Sequence, residues 1–231
     1  MIAQRVAPLL GIGLLAFATC GDDSRGQPEM SAAETRAAMD DLRLDVHAVL
    51  GRFSARIEAL DARYEGVGGP LADRWPSTRA EMRRHRHQVE WDLAKLDTAT
   101  HRDARRLKQE IASDLAELSA QVERAHLDSY ETGEALLGAA RDRLVRLDRD
   151  LQRLARAAEP DSGAGSVEGT DALEELRSRA AEIQRRLDEL ADGSPEEIAA
   201  GRQELVAAIS SLTASVEREL FALRQDAISP D

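Results

Sequence analysis

Two uninterrupted three-four apolar patterns restrict what this chain can fold into. Leu137, Ala140, Leu144, Leu147, Leu151, Leu154 and Ala158 form one, and Leu173, Leu176, Ala180, Ile183, Leu187 and Leu190 form the other. Steps of three and four keep side chains on one face of an α-helix, whereas a half-buried strand would alternate by two. An isolated helix with an exposed apolar stripe is marginal in water, so each stripe needs a partner. Aromatic residues make up only 3% of the 231 residues, so the partners must meet through aliphatic cores.

Weaker versions of the same pattern run through the rest of the chain. Leu42, Val46, Val49, Leu50, Phe53, Ile57, Leu60 and Tyr64 mark a helix over about 31–64, with Ser31 and Glu34 as a capping box. Gly66 to Pro70 ends it, and the stretch as far as Trp75-Pro76-Ser77 reads as loop. Helices are expected over about 78–97 and 101–129, the latter capped by Thr100 with Asp103 and striped by Leu107, Ile111, Leu115, Leu118 and Val122. Pro160 to Thr170 reads as a linker. The last helix starts where Ser194 caps, Pro195 takes the first helical position and Glu197 closes the box.

The chain also matches itself. At an offset of 94 residues without gaps, Leu50 meets Leu144, Ile57 meets Leu151, Val89 meets Ile183, and Val122-Glu123-Arg124 meets Val216-Glu217-Arg218. Between 93–124 and 187–218, nine of 32 positions are identical, and the loops and seams keep the same register. The expected architecture is all-α: a tandem pair of three-helix antiparallel coiled-coil bundles, one over 31–131 and one over 132–227, with a tail at 228–231. This resembles the architecture of spectrin-type repeats. The roughly heptad register through Val122, His126, Ser129 and Gly133 to Leu137 leaves two options open, separate helices or a third helix of the first unit that runs on into the first of the second, giving ~58 residues and ~87 Å. Gly133 is the expected point of a break or bend. Pairing of the seams between chains is the competing arrangement.

Ahead of all this stands a different kind of segment. Arg5 is followed by an apolar run from Val6, too short to span a bilayer, and then by Cys20, the only cysteine. Phe17-Ala18-Thr19-Cys20 resembles the bacterial lipoprotein signal through Ala18 and Cys20; Phe17 and Thr19 depart from the usual pattern. The resemblance implies a signal peptide over 1–19, a lipid on Cys20 and a membrane-tethered mature chain in the bacterial cell envelope. Residues 20–30 are polar and read as a tether. With no second cysteine, no internal disulfide is expected.

Few residues suggest chemistry. None of the five histidines, His47, His85, His87, His101 and His126, has the spacing of a helical metal site. No nucleophile motif or phosphate-binding glycine loop occurs, so no catalytic residue, metal or cofactor is expected beyond the lipid. A net charge of -12 argues against nucleic acid as a partner. One block departs from the acidic background: Arg79, Arg83, Arg84, His85, Arg86 and His87, flanked by Trp75 and Trp91. Arg79 and Arg86 fall where the second unit has seam residues Leu173 and Ala180. The block reads either as arginine stems along the bundle edge or as a partner surface. The expected function is a non-enzymatic, lipid-anchored scaffold, spacer or adaptor with a protein partner or self-association. A chaperone-like or apolar-ligand-binding bundle, entered at that block, is the alternative. No small-molecule substrate is indicated.

Overall fold

The computed structural model describes residues 32–66, 69–157 and 167–228. They form six α-helices: α1 (Ala32–Glu65), α2 (Pro70–Lys95), α3 (His101–Asp128), α4 (Gly133–Ala157), α5 (Val167–Ala191) and α6 (Pro195–Ile228). A short 3-10 turn, Leu96–Thr98, joins α2 to α3, and no strand occurs among the described residues. The chain is all-α, as its periodicity requires. The segment 1–31, with Cys20, the tether and the Ser31 cap, lies outside the described residues.

Two helix starts follow from their caps. The Thr100 hydroxyl accepts from the Asp103 amide at 3.3 Å, and the Ser194 hydroxyl accepts from the Glu197 amide at 3.3 Å. Glu197 returns the second half of the box by accepting from the Ser194 amide at 2.7 Å.

The second helix departs from expectation. Instead of a loop as far as Ser77, helix begins at Pro70 and carries Pro76 inside it. Gly69 makes this possible with φ 92, in the left-handed region open to glycine, and Pro70 suits the first helical turn. Trp75 then anchors the turn. It is buried, stacks on Tyr64 with ring centroids 4.7 Å apart, and donates its indole N–H to Asp61 at 2.8 Å. The helix-breaking tendency of Pro76 is outweighed by burial of its neighbour.

Of the two options for the junction of the units, the helices are separate and the joined helix is not formed. Helix α3 stops at Asp128 and α4 starts at Gly133. The carbonyls left over at the end of α3 are taken by Arg202 of α6, whose guanidinium donates to Leu127, Asp128 and Tyr130 at 3.4, 2.9 and 2.6 Å. The Thr132 hydroxyl accepts from the Ala135 amide at 3.3 Å and caps α4. A Cβ on Gly133 would lie 2.7 Å from Ile198 Cγ2, so only glycine lets α4 and α6 start this close together.

Two aliphatic cores result. One draws on α1, α2 and α3, the other on α4, α5 and α6, but each borrows a residue: Phe221 of α6 joins the first and Leu127 of α3 the second. Helices α3 and α6 form the most extensive packed pair of the fold, with α1 also touching α6 and α3 also touching α4. They run antiparallel, because Arg202 near the start of α6 reaches the end of α3 while Phe221 lies among the core residues of α1 to α3. Both helices are buried well beyond a single stripe. Small residues help: Ala116, Ser119 and Ala120 on α3, and Ser210 and Thr213 on α6, are all buried.

Candidate functional site

The basic block on α2 is split by the fold. Arg79 reaches back to α1 and pairs with Asp61 at 2.8 Å. Arg86 does the same, donating to Ser54 at 3.1 Å and pairing with Glu90 at 2.9 Å. The two seam-replacing arginines therefore close the α1–α2 edge, Arg79 with an ion pair to Asp61 and Arg86 with a hydrogen bond to Ser54. His85 lies 3.4 Å from Asp114 of α3. Trp75 is in the core, so it is no part of an outer surface. What faces outward is Arg83, Arg84, His87 and Trp91, the last 63% exposed with Lys95 Nζ 5.4 Å from its ring centroid. Arg84, His87, Trp91 and Lys95 follow one another at steps of three, four and four, so they form a single stripe.

A second group of charges lies inside the molecule, where α1, α3, α4 and α6 meet. Glu123 of α3 is fully buried. Its Oε2 pairs with Arg56 of α1 at 2.7 Å and with Arg143 of α4 at 3.1 Å. Arg143 is itself buried and also donates to the Thr213 hydroxyl of α6, at 3.2 and 3.3 Å. Burial alone would push the Glu123 carboxyl up, but Arg143 and Arg56 together hold it below the usual carboxylate range. Arg143 is lowered by its burial, against the pull of Glu123. Glu123 Oε1 and Ser119 Oγ, one helical turn apart, are buried without a protein hydrogen-bond partner.

Beside this pair opens a cleft of about 120 Å³ lined by Arg56, Ala59, Leu60, Arg63 and His126. Arg63 stands over Tyr130, its guanidinium carbon 3.9 Å from the ring centroid. His126 meets Tyr130 edge-on at 5.3 Å. Burial lowers the His126 pKa; Glu123 works against this, while Arg56, Arg63 and Arg146 add to it. The imidazole is therefore held neutral among cations.

Sequence reading passed over this group. In the sequence His126 is a heptad position without helical metal spacing, and Glu123 is part of a repeated tripeptide. A usable signal was the breadth of α4: Leu136, Ala139 and Arg143 form a second buried stripe beside the heptad seam. Among the described residues, no group of three or more His, Cys, Asp or Glu side chains could hold a metal ion. Among them too, no helix is long and apolar enough to cross a membrane. Comparison with protein-family models, with curated proteins and with solved structures finds no match.

Proposed function

We propose that this chain is a lipid-anchored protein of the bacterial cell envelope, held through Cys20, that acts as a non-enzymatic helical adaptor. The anchor rests on the signal-like segment ending at Cys20. The adaptor role rests on one observation above all: Trp91 stands 63% exposed in a stripe with Arg84, His87 and Lys95, while the apolar seams are buried within the chain. An exposed indole beside basic side chains, on a helix whose other face is packed, is what protein partners use as an anchor. The test has two arms. Cells fed a labelled fatty acid should label the wild type and not Cys20→Ala. Cross-linking in whole cells should join the wild type to an envelope protein, and Trp91→Ala should weaken that adduct without lowering the melting temperature. Equal labelling of both chains would end the anchor. Adducts made only of the protein itself would replace the adaptor with a self-associating spacer.

We infer further that the helices arose as two three-helix units by tandem duplication, packed side by side about an internal pseudo-dyad. What supports this is a reciprocal exchange. Leu127 and Phe221 are equivalent at the 94-residue offset, and each lies in the core of the other's unit. The cross-contacts α1 with α6 and α3 with α4 also exchange under that offset. Such mutual contact is the signature of an isologous interface, here within one chain.

A further inference from the structure

We propose that the cleft between α1 and the end of α3 binds a phosphate-type oxyanion, held by Arg63, Arg56 and His126. The lining joins two guanidiniums and an imidazole in a protein whose net charge is -12. Its volume of about 120 Å³ leaves room for a small tetrahedral anion. Glu123 uses one nitrogen of Arg56. Arg63 stands over Tyr130, and its guanidinium carries the planar donor fork that matches phosphate oxygens. No carboxylate pairs with Arg63 among the described residues.

Cations near helix ends often serve only to offset the partial negative charge of terminal carbonyls. Here those carbonyls have other donors. Tyr64 donates to Ala125 O at 2.8 Å, Ser129 Oγ to His126 O at 2.6 Å, and Arg202 to the next carbonyls of α3. The arginines of the cleft are thus not needed to cap α3, while Arg63 also stands in the last turn of α1. The groups facing His126 are Arg56 and Arg63 from α1, Glu123 from α3, Arg146 from α4 and the Tyr130 hydroxyl, 3.4 Å from Nε2: three cations against one carboxylate and a neutral phenol. A bound anion would balance them and let the imidazole take a proton, so affinity should rise as pH falls.

The test follows the imidazole resonance of His126 in the purified full-length protein, assigned with His126→Gln. Sulfate, which does not titrate in this range, and inorganic phosphate are each compared with chloride at matched ionic strength. Either anion should shift the resonance and raise the His126 pKa, and Arg63→Gln should weaken binding by about tenfold or more, with Arg63→Lys in between. Circular dichroism melts establish that the variants are folded. Vesicles of phosphatidylglycerol, against phosphatidylcholine, distinguish a lipid headgroup from free phosphate. Vesicle binding lost in Arg63→Gln assigns the phosphate to a headgroup. A response no larger than that to chloride, with vesicle binding indifferent to Arg63→Gln, overturns the proposal. So does an Arg63→Gln protein that titrates like the wild type.

Discussion

Glu123 is where single side chains matter most, because two arginines from different helices depend on it. Replacing it with Gln leaves Arg143 buried without its counter-charge, which should destabilise the fold by about 3–5 kcal/mol in urea unfolding. Glu123→Met combined with Arg143→Met should recover most of that loss, since a buried pair can be exchanged for apolar bulk. A double variant as unstable as the single one would show that Thr213 and Arg56, not the pair, carry the energy. The same residues set the response to acid. His126 has a lowered pKa when folded, so below its ordinary value of 6.5 the unfolded chain takes the proton more readily and stability falls. Asp128 is raised by burial and works the other way, its protonation near and above 3.8 relieving a cost. Glu123 is lowered, so its contribution is present above about 4.5 and lost as pH falls through its folded value. Stability should therefore drop in a first step below pH 6.5, and His126→Gln should remove that step alone. If the step survives the substitution, some other group produces it.

At the scale of helices, the close approaches separate rigid contacts from yielding ones. Ala is intrinsically better than Gly in a helix interior by about 1 kcal/mol, so Gly201→Ala would stabilise if space allowed, and Gly133→Ala, at the first position of α4, would gain less. In each case the new Cβ would lie 2.7 Å from a neighbour. For Gly133 that neighbour is Cγ2 of Ile198, a branch on a stiff χ1; for Gly201 it is Cδ2 of Leu190, the far end of a flexible side chain. Gly133→Ala should thus destabilise by about 1–3 kcal/mol and be rescued by Ile198→Ala, whereas Gly201→Ala should lie much closer to neutral. Equal costs at the two sites would mean that α4 and α6 shift rather than clash. This contrast also explains what the sequence could convey. Caps at Thr100 and Ser194 and the seams of α4 and α5 are local patterns, and they were legible. The early start of α2 was not, because Gly-Gly-Pro and Trp-Pro read as loop until Tyr64 and Asp61 are seen to grip Trp75. The break before α4 was legible only as a weak point at Gly133, since Arg202, which takes up the orphan carbonyls, lies about seventy residues away in sequence. Glu123 and Arg143 were hidden for the same reason: the partner that makes each one meaningful lies on another helix.

For the molecule as a whole, the question is whether the two cores melt as one. Each is large enough to have its own transition, and a chain of nearly independent bundles would show two. Against independence stand the extensive α3–α6 packing, the exchange of Leu127 and Phe221, and a buried ion pair that Glu123 of α3 and Arg143 of α4 share. Both tryptophans lie on α2, and Trp75 is buried in the first core, so fluorescence reports that half alone while circular dichroism reports every helix. Leu187 of α5 is fully buried in the second core, remote from either tryptophan in the helix order. Leu187→Ala should cost about 2–5 kcal/mol. If the cores are coupled, the fluorescence midpoint in urea should fall by as much as the circular dichroism midpoint, and the two curves should superimpose. A fluorescence transition left in place, with the helix signal lost in two stages, would mean that α3 and α6 lie together without binding the halves into one unit. The proposed pseudo-dyad would then describe how the helices are arranged and not what stabilises them.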